Sequence, residues 1–273
     1  MLRLLFTILF LWPGLVSAQS DGPLQALNTS DQAQPWLAVG RLDMKRGGFC
    51  TGALISPKLV LTAAHCVYDR GVLRQASAIT FHAGYNKGKA IASRRGARLL
   101  THLEYVDDGK STATPASIAR DVAIIELESA IDAPGVIPFE RHRKPPLDAR
   151  VVVVSYARGR TEVPSLERGC KMFARREGVL HYTCALDFGG SGSPVFTMTS
   201  AGPKIASILS AGTEWDGTKV ALGAPLGAAV DRMVRELQTT NRDPVFVKTT
   251  ERGGAWNGRS AVKRSGLPQI KRD

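Results

Sequence analysis

The chain has 273 residues, enough for one large domain or two medium ones with an ample core. Apolar residues at 44% and charged residues at 22% exclude the disordered and fibrous classes, and a mean hydropathy of −0.07 with one long apolar run excludes a membrane-spanning bundle. Lys plus Arg outnumber Asp plus Glu by 36 to 24, and the net charge of +12 favours anionic partners without bearing on fold.

The apolar run opens the chain. Residues 1–18 read as an export signal: Arg3 precedes the apolar stretch 4–15, and Val16-Ser17-Ala18 supplies a small-residue ending. The stretch is short for ~30 Å of hydrocarbon, so an uncleaved anchor is the weaker alternative. The chain is then secreted or periplasmic, with no transmembrane anchor after cleavage, and residues 19–34 form an arm or a propeptide. Export places Cys50, Cys66, Cys170 and Cys184 in an oxidising compartment, where four cysteines allow three pairings. The local pairs Cys50–Cys66 and Cys170–Cys184 are favoured, each closing a loop of about 15 residues worth ~3 kcal/mol in the chain-entropy model. A zinc site is the rival, but no CxxC or closely paired histidine supports it, and no metal or cofactor is expected.

Short β-rich runs follow between Gly, Pro, Asn and Asp punctuation, at 36–42, 50–55, 59–64, 78–83, 121–127 and 151–156. A second group lies at 180–185, 194–198, 205–211 and 219–224. Strands without interleaved helices predict an all-β chain of barrels or sandwiches. A single helix is predicted near the end, where Leu226, Ala229, Val230, Met233, Val234 and Leu237 recur at spacings of three and four. The proline-bearing segment 141–148 separates the two strand groups and divides a first unit (35–140) from a second (141–239). From residue 240 the pattern dissolves into a tail, in which residues 242–273 hold eight basic residues against three acidic ones. Anionic surfaces are the partners such a tail suits.

Chemistry concentrates at three places. Thr62-Ala63-Ala64-His65-Cys66 ends an apolar strand beside a cysteine. Arg120-Asp121-Val122-Ala123 puts an acid at the entrance of a buried strand. Gly189-Gly190-Ser191-Gly192-Ser193-Pro194 flanks a serine with glycines that permit a tight turn and close backbone approach. Taken singly, each has a bland reading: a buried histidine, a turn aspartate, a Gly/Ser loop. Taken together they supply what acyl transfer needs. Ser191 is the candidate nucleophile and His65 the base, Asp121 orients the imidazole, and the N–H groups of Gly189 and Ser191 form an oxyanion hole.

These three motifs, in the order His, Asp, Ser, resemble the trypsin-like (chymotrypsin-fold) serine proteases, and the Gly-x-Ser-Gly-Ser-Pro form is similar to the bacterial, V8-like branch. The resemblance covers roughly residues 35–239. It implies two six-stranded antiparallel β-barrels with the site between them and a C-terminal α-helix. It also implies the bridges Cys50–Cys66 behind the histidine and Cys170–Cys184 before the serine loop. Ser210-Ala211-Gly212 looks like the segment that pairs with substrate backbone, with Ser210 near the aspartate. The resemblance implies a monomeric endopeptidase acting on protein or peptide. The alternative is a weak or inactive protease-fold module that binds anionic surfaces. Sequence-specific nucleic-acid binding is not expected, since no recognition motif accompanies the charge.

Two departures from the digestive members stand out. The residue before the serine is Gly190 rather than an aspartate, and no Ile-Val-Gly-Gly start exists, so no amine–carboxylate activation switch is expected. Glutamyl-specific relatives place a histidine where this chain has Leu209, which argues against glutamate preference. Asp187 either faces a basic substrate side chain or caps a turn, and the turn is favoured. His82, His102, His142 and His181 read as structural or solvated.

Overall fold

The computed structural model describes residues 24–45, 47–109, 113–184 and 189–239. The export signal, residues 19–23 of the arm, Asp187 and the tail from residue 240 lie outside the described residues.

The arm begins with β1 (Leu24–Ala26) and turns through the short helix α1 (Ser30–Ala33), opened by a Thr29–Gln32 capping box. The strand expected over 36–42 is corrected here. Pro35 sits in the first turn of a 3-10 helix, Gln34–Trp36, where its fixed φ and missing N–H are tolerated, so the strand starts only at β2 (Val39–Met44). Next come β3 (Phe49–Ser56), β4 (Leu59–Thr62), the small hairpin β5 (Tyr68–Asp69) and β6 (Val72–Leu73), β7 (Ile79–Ala83) and β8 (Ala92–Thr101). Helix α2 (Pro115–Ala119), boxed by Thr114 and Ser117, leads into β9 (Ala123–Leu127). Six of these strands close an antiparallel barrel in the order β2-β3-β4-β9-β8-β7. Leu42, Leu54, Leu61, Phe81 and Ile124 are among its fully buried side chains.

The second half contains β10 (Arg150–Ala157), β11 (Arg160–Arg176), β12 (Val179–Tyr182), β13 (Pro194–Thr199), β14 (Gly202–Trp215), β15 (Thr218–Pro225) and α3 (Ala228–Thr239). Its sheet runs β1-β11-β10-β13-β14-β15-β12, and β11 also pairs with β12. Six strands therefore return on themselves, as the resemblance implies, and β1 is added at the edge as a seventh. The unbroken valine run of β10 is buried on both faces. Val151 and Val153 join Met172, Tyr182 and Leu209, whereas Val152 and Val154 join the larger cluster that includes the first barrel. Between the two halves, Trp36, Phe139 and Phe196 pack ring on ring, with Phe196 4.6 Å from Phe139 and 5.0 Å from Trp36 between centroids.

The terminal segments cross over. β1 precedes the first barrel yet pairs with β11 of the second, Leu24 opposite Glu167 and Ala26 opposite Ser165. Helix α3 follows the second barrel, buries Val230, Met233 and Leu237 in the cluster shared with the first, and has its Leu237 carbonyl held by Arg98 of β8 at 2.7 Å. Leu27 is 1% exposed, and its N–H and C=O are both bonded, to Pro164 O and from Asn86 Nδ2. The arm is thus anchored to the body at Leu27, Ala33 and Trp36, the buried residues of an otherwise mostly exposed segment. Leu27→Ala is expected to destabilise by ~2–5 kcal/mol, read as a lowered thermal midpoint; an unchanged midpoint would show the arm to be dispensable.

Candidate active site

Asp121 lies at the mouth of the first barrel, just before β9. Its N–H donates to Ile118 O at 3.1 Å, so the capped turn of α2 sets its position. The side chain is 0% exposed. A buried carboxylate is costly unless donors replace water, and three do. His65 N donates to Oδ1 at 2.8 Å, His65 Nδ1 lies 2.6 Å from Oδ2, and Ser210 Oγ donates to Oδ2 at 2.5 Å. With Nδ1 carrying the hydrogen toward Asp121, Nε2 is the basic nitrogen of the ring.

His65 starts a 3-10 turn directly after β4, and Cys66 beside it is bonded to Cys50 of β3. The second expected bridge, Cys170–Cys184, is also present. The His65 side chain is 12% exposed, so one edge of the ring reaches the surface.

Ser191 is 1% exposed and sits on a loop fixed by backbone contacts. Its carbonyl accepts from Thr51 N at 2.9 Å, Gly192 N donates to Leu209 O at 2.8 Å, and Ser193 N donates to Gly190 O at 3.1 Å. The motif's glycines are required by space as well as by conformation. At Gly189, φ is +85° and a Cβ would lie 2.1 Å from the Phe49 ring. At Gly192, φ is +76° and a Cβ would lie 2.2 Å from Thr62 Oγ1. The serine loop therefore packs directly on the end of β4, with Gly192 against Thr62, three residues before His65.

Ser210 is fully buried at a register shift of β14, between Leu209 and Ala211, and this bulge turns its hydroxyl to Asp121. The Ala211 side chain is buried with Ile118, Val179 and Leu222, while Gly212 is only partly buried. β13 pairs with β14 no further than Ile208, and from Ala211 onward β14 pairs with β15 alone.

Several contributors escape sequence reading. Thr51 is 0% exposed, and its hydroxyl lies 3.1 Å from Gly189 O and 2.9 Å from Tyr156 N. Thr62 Oγ1 donates to Thr51 O at 2.8 Å. The one signal for both is a polar residue inside an otherwise apolar run. Tyr156 next to them donates its hydroxyl to Tyr85 O at 2.7 Å, and burial raises its phenol far above the ordinary value, so it stays a neutral donor.

The remaining histidines have local contacts. His82 meets Ser93 Oγ, His142 meets Thr197 Oγ1, His102 accepts from Glu104 N, and His181 stands edge-on to Phe173 and Trp215. Among the described residues, groupings with metal-ligand spacing run through Cys50 and Cys66 or Cys170 and Cys184, whose sulfurs are already joined in disulfides.

The trypsin-like peptidase domain matches residues 50–202, a stretch that includes His65, Asp121 and Ser191. Kallikrein-8 of Rattus norvegicus is 26% identical over 127 residues, 46% of this chain and 45% of that protein. Serine protease SP24D of Anopheles gambiae is 31% identical over 111 residues, 40% of this chain and 37% of that protein. The chain thus spans less than half the length of each of these relatives. A solved Glu endopeptidase superposes with a TM-score of 0.63 at 19% identity, over 78% of this chain and 96% of that one, a likeness of fold. With this domain matched over more than half its length and the barrel architecture in place, the chain belongs to the trypsin-like peptidase family.

Proposed function

We propose that this chain is an exported serine endopeptidase that cleaves peptide bonds through an acyl-enzyme on Ser191. The observation that carries the reading is the buried Asp121 carboxylate at 2.6 Å from His65 Nδ1, on a barrel edge to which the Ser191 loop is bonded. In the forward step Ser191 Oγ attacks the substrate carbonyl carbon and His65 Nε2 takes the hydroxyl proton. Asp121 holds the imidazole in the required tautomer and stabilises the imidazolium. The N–H groups of Gly189 and Ser191 receive the oxyanion. His65 then returns the proton to the departing amine, and water repeats the sequence to release the acid.

The part of β14 beyond Ile208 has an edge that β13 does not cover, which suits an extended peptide adding as a further strand. Ala211 and Gly212 are the residues proposed to meet substrate backbone, while Ser210 acts through Asp121. Replacing Ser210 with alanine removes a donor from the buried carboxylate. A loss of about 10-fold in kcat is expected, equivalent to ~1.4 kcal/mol; an unchanged kcat would place Ser210 outside the machinery. Glutamate preference does not form part of the reading, because Leu209 is wholly buried in the second barrel's core. Two disulfides support an oxidising compartment.

A fluorophosphonate probe tests the function on the purified full chain. The expected result is covalent label on the peptide bearing Ser191, with hydrolysis of a protein substrate. A folded but unlabelled and inactive protein would overturn it and favour a binding module.

A further inference from the structure

We propose that Thr51 is the positioning residue that holds the oxyanion loop in its working shape, an inference that rests on the endopeptidase reading above. The loop needs an explicit support. Gly189 has φ of +85°, a conformation with no intrinsic stability advantage, and Gly190 offers no side chain to tie the loop down. Yet both Gly189 and Ser191, whose N–H groups are assigned to the oxyanion, must present those groups together.

The start of β3 meets that need from one short stretch. Side chains alternate along a strand, so Phe49 and Thr51 share a face and Cys50 points the other way. Cys50 is bonded to Cys66, next to His65. On the opposite face, the Phe49 ring fills the space a Gly189 Cβ would take. Thr51 supplies the polar contacts: its N–H donates to Ser191 O at 2.9 Å, and its hydroxyl lies 3.1 Å from Gly189 O. The hydroxyl accepts from Tyr156 N at 2.9 Å, which leaves its single hydrogen for Gly189 O, the nearer of two carbonyls; Tyr156 O stands at 3.3 Å. Thr62 Oγ1 in turn holds Thr51 O at 2.8 Å. Every polar atom of Thr51 is thereby engaged, and its side chain is 0% exposed.

The geometric consequence is specific. Fixing Gly189 O fixes the 189–190 peptide plane, and with the Phe49 ring packed where a Gly189 Cβ would lie, this restricts the rotation of Gly189 that would turn its N–H away. Fixing Ser191 O does the same from the other end of the loop. Without the hydroxyl, Gly189 O loses its buried donor and the plane is free to turn. The Thr51 hydroxyl is buried and meets loop backbone rather than solvent, so the loss is expected to fall on the transition state with ground-state affinity spared.

The test compares Thr51→Val, which keeps shape but loses the hydroxyl, with Thr51→Ser, which keeps the hydroxyl, using a peptide that the wild type cleaves. Thr51→Val is expected to lower kcat about 100-fold with KM nearly unchanged, and to weaken a peptidyl aldehyde inhibitor in parallel; Thr51→Ser is expected to turn over near the wild-type rate. Thr197→Val, which removes a buried hydroxyl bonded near His142 on the far stretch of β13, is expected to leave kcat unchanged. If Thr51→Val does not fold, Thr51→Ala takes its place against Thr51→Ser. Equal kcat values for the hydroxyl-bearing and hydroxyl-free variants would overturn the proposal, as would a loss that serine does not rescue. A wild type that neither cleaves nor takes the fluorophosphonate label fails on the endopeptidase reading instead, so the two failures are distinguishable.

Discussion

Ser191→Ala is expected to reduce kcat by on the order of 10⁶-fold, and to abolish fluorophosphonate labelling, while the fold survives. The side chain removed is small, and the loop's fixing contacts are made by the backbone of Ser191, Gly192 and Ser193, which alanine leaves in place. Alanine also loses a buried polar atom rather than gaining one, so little stability is at stake. Without Oγ, His65 has no proton to take from a nucleophile, and any residual rate comes from the oxyanion donors acting on water. Measurement is by kcat on a peptide substrate with thermal midpoint as the control. A variant that kept more than about one hundredth of the wild-type rate would remove Ser191 from the nucleophile's role.

The second large effect is expected at Asp121→Asn, a loss of about 10⁴-fold in kcat with the barrel intact. Asparagine has the same shape, and its carbonyl can still accept from His65 N in place of Oδ1. Its amide, however, stands where Oδ2 stood, 2.6 Å from His65 Nδ1. An amide is a donor there, so Nδ1 must become the acceptor and the ring proton moves to Nε2. The base is then already protonated on its working nitrogen. Ser210 Oγ must also turn from donor to acceptor, since it shares that same oxygen. Rate and thermal midpoint together separate the tautomer effect from unfolding. A loss of only a few-fold would mean that Asp121 supports the loop without orienting the base.

Much of the site is legible in the residues because its chemistry needs rare combinations close in sequence. A histidine beside a cysteine after an apolar strand, an acid before another, and a glycine-flanked serine are each local patterns. The geometry accounts for their details: Gly189 and Gly192 are glycines because Phe49 and Thr62 occupy the space of a Cβ. What is not legible is what arrives from elsewhere in the chain. Thr51 lies 138 residues from Gly189, and nothing in Cys50-Thr51-Gly52 signals which loop its hydroxyl will meet. Asp187 lies outside the described residues, so its turn-or-pocket alternative stands as the residues leave it.

The strands follow the same division. Apolar runs such as 59–64 and 151–156 become β4 and β10 within a residue or two. β11, the longest strand, goes unread because Pro164 and Gly169 interrupt it and charged residues crowd it. Its register explains both: Gly169, at φ +83°, coincides with a shift between Val151 and Val153, and Pro164, which has no N–H to donate, offers its carbonyl to Leu27. β8 is hidden likewise, since Arg94, Arg95 and Arg98 mask its alternation. Long-range pairing rather than local propensity makes these two segments strands.

The exchange of end segments also sets an order of assembly. β1 is made before its partner stretch around Glu167, which follows about 140 residues later, ~7–30 s at ~5–20 residues per second. The first barrel, complete at Leu127, can close in that interval while Leu24–Ala26 waits as an unpaired strand. Helix α3 docks after the other described elements, because it follows them in the chain and its resting place is the barrel made first. The two crossed segments are therefore both locked only once α3 has been made, and a bulky fusion just ahead of Leu24 would hinder the second barrel while sparing the first.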